Sequence, residues 1–237
     1  MTYKLAVRSV SDINFSKMES THIVTKMLLD RGYDYIPAMD PLWFGWGSKL
    51  LAQIKAIRET DCTHLLFIDA RDVLVLCEPD ELMERWGQLN RPWVFSAEYH
   101  IWSPNSFTPE QYPTPVDAHA RYLNAGVSFG EIEHMRKWAA EWTKDWDPGK
   151  PFHTKRGDQD WWAARCVESY PDAITLDHNC SLIQCLCGAE VGPEPIVTTT
   201  PGVAYNRVTD TRPAIIHFNG GNDLTKHASA LRLRGVG

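Results

Sequence analysis

The sequence predicts an α/β fold, a mostly parallel sheet flanked by helices and forming one domain over residues 1–237. Three observations carry that expectation. The run His64-Leu65-Leu66-Phe67-Ile68 is nearly all apolar and stops at Asp69-Ala70-Arg71-Asp72. A run of this kind reads as a strand buried on both faces. Near the N-terminus, strand-like Leu5 to Val10, helix-like Ser16 to Asp30 and strand-like Tyr33 to Ala38 form the β-α-β opening of a doubly wound sheet. Later apolar runs also end in polar side chains: Trp93 to Glu98, and Ala214-Ile215-Ile216-His217. In open α/β sheets ligands bind beyond the carboxyl ends of the strands. Asp69, Asp72, Glu98 and His217 therefore fall where a ligand is expected.

The first helix has Met18, Ile23, Met27 and Leu28 roughly on one face, with Gly32 as its stop. Pro37 is expected to close the second strand. Trp43-Phe44-Gly45-Trp46-Gly47-Ser48-Lys49 reads as a loop before a helix over Leu50 to Arg58. Its small residues and lysine suit a phosphate, and Ser48 alternatively caps the helix. Pro79 to Trp86 reads as a short helix. Tyr99 to Ala120 is a long, Pro-rich loop, of a length that is usually functional. Asn124 to Gly130 reads as a strand with glycine at points of close approach. Ile132 to Trp146 is a helix ended by Asp147-Pro148-Gly149. Gly157-Asp158-Gln159-Asp160 opens another, through Val167, with its acids at the positive helix end. Ile174 to Asp177 and Leu182 to Leu186 are short strands. The tail from Asn222 reads as a loop or short helix able to fold over the site.

A chain of 237 residues supports one sizeable core. Its net charge of −6 and lack of a long Lys/Arg run argue against a non-specific nucleic-acid surface. No apolar stretch approaches a membrane span. The N-terminus lacks a signal-peptide core, which implies a cytoplasmic location. Cys62, Cys77, Cys166, Cys180, Cys185 and Cys187 match no zinc or redox spacing and are expected as reduced thiols. Ten tryptophans are many for this length, so one or two are assigned to a ligand and the rest to packing.

Asp69 and Asp72 converge if the chain turns just after Asp69. Two converging carboxylates repel unless a cation lies between them, and hard oxygens suit Mg²⁺ or Mn²⁺. The alternative is a strand end with two solvated acids.

Several short segments stand in a telling order: Phe67-Ile68-Asp69-Ala70-Arg71-Asp72-Val73-Leu74, Phe95-Ser96-Ala97-Glu98, Glu110-Gln111-Tyr112-Pro113, Tyr122-Leu123-Asn124-Ala125-Gly126, Asp158-Gln159, Leu176-Asp177-His178 and His217-Phe218-Asn219-Gly220. The succession, from about Gly45 to Asn222, resembles the glycosyltransferase domain of procollagen lysyl hydroxylases and, more distantly, the collagen galactosyltransferases. The resemblance implies a GT-A (Rossmann-like) fold, Mn²⁺ (or Mg²⁺) and a UDP-sugar donor, UDP-glucose or UDP-galactose. It matches Asp69, Asp72 and His217 to metal ligands and Lys49 to a donor-contacting lysine. Asn219 and Gly220 match a segment near the diphosphate, and Asp158 with Gln159 the sugar and acceptor side. Arg71 replaces an aromatic residue thought to contact uracil, and a guanidinium also stacks on a base. Phe218 replaces a glycine. The hydroxylase domain does not follow, so no Fe(II) or 2-oxoglutarate chemistry and no collagen acceptor are expected.

The chemistry then implied is transfer of a hexose to a hydroxyl acceptor: a protein hydroxyl, a glycan or a hydroxylated nucleobase. The charge weighs mildly against duplex DNA. Asp158, Glu98 and Asn124 are the candidates at the sugar or acceptor, with structural roles as the alternatives for Glu98 and Asn124. Trp102 is the candidate stacking residue, with surface packing as its alternative. A non-catalytic nucleotide-sugar or glycan-binding module and a UDP-sugar hydrolase are the competing functions.

Overall fold

Along β1 (Leu5–Ser11), Leu5 and Val7 are buried in one core while Ala6 faces another, and this alternation organises the molecule. The computed structural model describes residues 3–12, 14–40, 43, 45–102, 107–146, 157–187, 197–200, 203–220 and 224–225. After β1 come α1 (Glu19–Asp30), β2 (Asp34–Met39), α2 (Trp46–Glu59), β3 (His64–Ile68), β4 (Val73–Val75), α3 (Pro79–Leu89) and β5 (Trp93–Glu98). The chain continues through β6 (Tyr122–Glu131), α4 (Ile132–Trp142), α5 (Asp158–Ser169), β7 (Thr175–Leu176), β8 (Ile183–Cys185), β9 (Val197–Thr200), β10 (Val203–Asn206) and β11 (Ile215–His217).

The main sheet has the order β2-β1-β3-β6-β5-β7. Its strands run parallel except β6, which is antiparallel to both β3 and β5. Leu66, Ile68 and Val127 face the core shared with α1 and α3, whereas Leu65, Phe95 and Leu123 face α2, α4 and α5. With both faces covered, the strands need no polar side, which explains the unbroken apolar runs.

A second sheet, β4-β11-β8, packs into the first of these cores. The sequence reading placed the segments of β8 and β11 without separating them from the main sheet. It assigned no strand to Val73 to Val75, which follow the acids directly. In fact the chain turns over Ala70 to Asp72 and leaves one sheet for the other. The hairpin β9–β10 went unpredicted.

Local corrections have local causes. Pro37 lies inside β2 rather than closing it, tolerated because β2 is an edge strand. α2 starts at Trp46, not Leu50, and its N-cap is Gly45 at φ 91°, not Ser48. Ser48 is instead buried within the first turn. α4 stops at Trp142, and the expected stop at Asp147-Pro148-Gly149 lies outside the described residues, as do Phe44, Pro104, Gly221 and most of the tail after it. Leu224 of that tail is buried in the core. All six cysteines are free thiols, and all but Cys187 are buried. Among the described residues no helix is long and apolar enough to cross a membrane.

Candidate active site

The turn after β3 fixes the first part of the site. Asp69 leaves the end of β3, its backbone N–H bonded to the Gly126 carbonyl at 2.8 Å. Asp72 opens β4, and its carbonyl accepts the Phe218 N–H at 2.8 Å. β4 pairs antiparallel with β11, placing His217 opposite Val73. Ladder hydrogen bonds therefore bring a histidine from near the C-terminus beside both acids. Ligand atoms of Asp69, Asp72 and His217 lie within 4.8 Å of one another. His217 Nε2 is 3.4 Å from Asp69 Oδ2 and 3.6 Å from Asp72 Oδ1. Asp72 Oδ1 is buried without a hydrogen-bond partner among the described residues. An orphaned carboxylate oxygen beside a second carboxylate and an imidazole nitrogen fits a divalent cation accepting hard oxygen and nitrogen donors.

A bulge in β6 aims the next shell. Phe95 pairs with Ser128, but the adjacent Ser96 pairs with Asn124, leaving Ala125 to Val127 unpaired with β5, although Val127 still pairs with Ile68 of β3. Bulges re-aim side chains, and this one turns Asn124 toward His217. Asn124 Oδ1 accepts the Gly126 N–H at 2.9 Å and lies 3.0 Å from His217 Nδ1. The pairing puts a proton on Nδ1 and aims Nε2 at the acids, the orientation that a metal-ligating imidazole requires. Gly126 is obligatory here, because a Cβ on it would stand 2.0 Å from His217 Cε1.

Glu98, last in β5, is 4% exposed and gathers three amides. Gln159 donates to Oε1 at 2.6 Å, while Asn124 and Asn219 donate to Oε2 at 3.3 and 3.0 Å. Burial raises the Glu98 carboxyl to about 7 against these bonds. Asn219 Oδ1 also accepts the N–H groups of Leu186 and Cys187. The geometry thus makes Asn124, Asn219 and Glu98 a buried bracing network. Asn124 and Glu98, read from sequence as groups for the sugar or acceptor, spend their polar atoms inside the protein.

Lys49, in the first turn of α2, is 5% exposed. Its Nζ bridges Asp69 Oδ1 at 2.6 Å and Asp158 Oδ2 at 3.0 Å. Burial opposes its charge, but the two carboxylates overcome that and raise its pKa. For Asp69, burial pushes upward while the Lys49 charge and His217 win, holding it at about 2. Asp158 moves the other way, raised by burial beyond what Lys49 offsets. It opens α5 behind Gly157, whose φ of 102° favours glycine. Removing one member of a buried pair costs about 3–5 kcal/mol. Lys49→Met is accordingly expected to lower Tm sharply, with much of the loss restored by millimolar Mn²⁺, read by thermal denaturation with and without metal. No recovery with metal would contradict the placement of a cation among these acids.

Asp69, Asp72, Lys49, Arg71, Glu98, Trp102, Asn124, Asp158, His217, Asn219 and Gly220 all line one cleft. Trp46, Gly126, Gly157, Gln159 and Cys187 line it too. In the sequence Trp46 stood out only within the loop leading to Lys49, and Cys187 only as one of six expected thiols. A smaller cavity adjoins the acids on the other side, lined by Val10, Ser11, Trp43, Trp46, Lys49, Asp69, Ala70, Arg71 and Asp72.

The mixed sheet, the acids at its strand ends and the polar cleft beyond them define a ligand site of the kind α/β folds build at the carboxyl ends of their strands. Residues 45–228 match the model of the PLOD GT domain, and the chain belongs to that family. It is 31% identical over 203 residues to procollagen-lysine,2-oxoglutarate 5-dioxygenase 1 of Mus musculus, covering 81% of this chain and 26% of that protein. With the Homo sapiens protein of the same name it shares 32% over 187 residues, 74% of this chain and 24% of the relative. With human procollagen-lysine,2-oxoglutarate 5-dioxygenase 2 the figures are 28%, 165 residues, 68% and 21%. The chain thus spans about a quarter of the length of these relatives. Among solved structures, a glycosyltransferase involved in glycosylation of the major capsid of PBCV-1 aligns with TM-score 0.45 and 14% identity, covering 92% of this chain and 95% of that one.

Proposed function

We propose that this glycosyltransferase moves a hexose from UDP-glucose or UDP-galactose to a hydroxyl acceptor, with Mn²⁺ (or Mg²⁺) held by Asp69, Asp72 and His217. The observation that carries the reading is the convergence of those three donors beside an orphaned carboxylate oxygen. Breaking the bond between the anomeric carbon and the diphosphate oxygen leaves negative charge on the leaving group. A bound divalent ion supplies Lewis-acid neutralisation of that charge.

The chain's own residues do the rest. Lys49 pairs with both Asp69 and Asp158 and holds the two carboxylates apart. Asn124 holds the His217 ring with Nε2 facing inward. Glu98 ties that asparagine to Asn219 beyond β11 and to Gln159 on α5. Asp158, Gln159 and Trp102 face the cleft where sugar and acceptor would meet. An acceptor without clustered phosphates suits a cleft carrying Asp69, Asp72, Glu98 and Asp158 against Lys49 and Arg71. Collagen is not proposed as that acceptor, and no membrane is required. A cytoplasmic location completes the proposal, and fractionation of the tagged protein in its host tests it.

Incubation with labelled UDP-glucose or UDP-galactose and Mn²⁺ is expected to release UDP, with the hexose on an added hydroxyl acceptor. Tight donor binding without turnover on any acceptor would instead indicate a binding module. Free hexose as the sole product would indicate a hydrolase.

Metal binding should also depend on pH. Burial lowers the His217 pKa, but Asp72 and Asp69 outweigh it and raise the group well above its usual value. A raised pKa means that the protonated ring stabilises the metal-free fold at low pH and that this contribution fades as pH rises through the folded value. A metal must displace that proton. Calorimetry in buffers of different ionisation enthalpy is expected to show about one proton released per ion bound at neutral pH, and affinity rising with pH. Binding without proton release would show that His217 is not a ligand.

A further inference from the structure

Of the ten tryptophans, only Trp46 and Trp102 are exposed; every other one is buried or half-buried. Trp46 is 55% exposed, although it sits in the first turn of a helix whose inner face is core. Leaving a large aromatic face in water forgoes its burial, so its position is informative. It stands on the partition between the cleft and the smaller cavity, lining both. Its orientation is braced from several sides. Trp43 meets it edge to face, at 6.5 Å and 75°. The Lys49 ammonium lies 6.0 Å from its ring. Gly157 lies beside it, where a Cβ would make ordinary van der Waals contact with the indole at 3.7 Å.

The two cavities differ in chemistry. Both share Lys49, Asp69, Arg71 and Asp72, the charged groups suited to a metal-bound diphosphate. The cleft adds the carboxylate of Asp158 and the exposed indole of Trp102, which suit the hydroxyls and the face of a sugar. The smaller cavity adds Val10 and Ser11 at the end of β1 together with the indole of Trp43. That wall suits a flat ring with apolar faces. A nucleotide-sugar laid across the acids thus has one direction in which each end meets its own chemistry.

We propose that Trp46, braced by Trp43, is the stacking surface for the donor's nucleobase, a role that in this chain does not fall to Arg71 between the metal-binding acids. The inference rests on the nucleotide-sugar reading above. Arg71 then serves the diphosphate or ribose as a cation. Stacking reads the face of a base and not its edge, so affinity gained through Trp46 depends on having a base at all.

Two probes separate the parts of the ligand: UDP carries base, ribose and diphosphate, and inorganic pyrophosphate carries only the last. Binding of each to the full chain is measured by calorimetry with Mn²⁺ present. The wild type is expected to bind UDP more tightly than pyrophosphate. Trp46→Ala should weaken UDP about 5- to 150-fold, the span of one base–aromatic stack. It should leave pyrophosphate within twofold, and Trp46→Phe should recover most of the loss. Tryptophan fluorescence quenched by UDP in the wild type should lose most of that response in Trp46→Phe. Arg71→Ala should weaken both ligands together. If Trp46→Ala leaves UDP affinity unchanged, or if Arg71→Ala alone removes the UDP advantage over pyrophosphate, the assignment is overturned while the donor reading stands. If the wild type binds neither probe, the donor reading fails and takes this inference with it.

Discussion

Replacing Asp72 with Asn is expected to lower UDP release by about two to three orders of magnitude while leaving the fold intact. Asn has the same shape, and the backbone carbonyl that holds β11 through the Phe218 N–H is untouched. What is lost is one of two negative charges facing His217 Nε2. Lewis-acid stabilisation of a leaving group is worth several kcal/mol, and each ~1.4 kcal/mol is a factor of ten in rate. Thermal stability of the metal-free protein should change little, because the lost attraction to His217 is offset by relief of repulsion from Asp69. Initial rates of UDP release across a Mn²⁺ titration check this. A variant within threefold of wild type at equal metal affinity would remove Asp72 from the chemistry. Asp69→Asn is a less clean test, since Asp69 also pairs with Lys49.

The second large effect comes from a single methyl group. Gly126→Ala would set a Cβ 2.0 Å from His217 Cε1 and 2.6 Å from both ring nitrogens. Neighbouring β6 cannot yield easily, because the Gly126 N–H and carbonyl are bonded to Asn124 and Asp69. The imidazole must therefore swing away from Asn124 Oδ1 and from the acids. Loss of outer-shell support alone typically costs 10- to 100-fold in metal affinity, and overpacking costs about 1–3 kcal/mol of stability. We expect Mn²⁺ affinity to fall by at least about 100-fold, with the protein still folded. Gly130→Ala is the control. Its Cβ would meet the Pro92 carbonyl at 2.7 Å, far from the acids in the β5–β6 ladder, so it should lower Tm without weakening metal binding. Equal loss of metal affinity in both variants would show that general destabilisation, not the histidine, is being read.

These two variants also mark where sequence reasoning reached and where it stopped. The Asp69–Asp72 spacing was informative because an apolar run ending in acids has few structural uses. Gly126 was readable as a point of close approach, but not what approached it. Asn124 and Glu98 looked available for substrate, because strand-end polar residues usually face a ligand. The β6 bulge instead turns them into one another, and a bulge of this size has no residue signature here. Helix α2 was started late because Gly45, Gly47 and Ser48 read as a loop. The propensity of three small residues was overridden by burial of Lys49 and Leu50 from the same turn. β4, β8 and β11 were too short for periodicity to assign them to a separate sheet.

Composition and local pattern determined the α/β class, the strand ends as the place for chemistry, and a set of residues able to hold a cation and a phosphate. Those follow from burial and hydrogen bonding acting over a few neighbouring residues, which a linear reading can see. Tertiary structure alone decided that Asn219 meets Glu98 across 121 positions and that His217 meets Asn124 across 93. It alone decided that Lys49 is shared between Asp69 and Asp158. Contacts of that reach are set by how two sheets and their helices pack together, and no local propensity encodes the distance between residues so far apart in the chain.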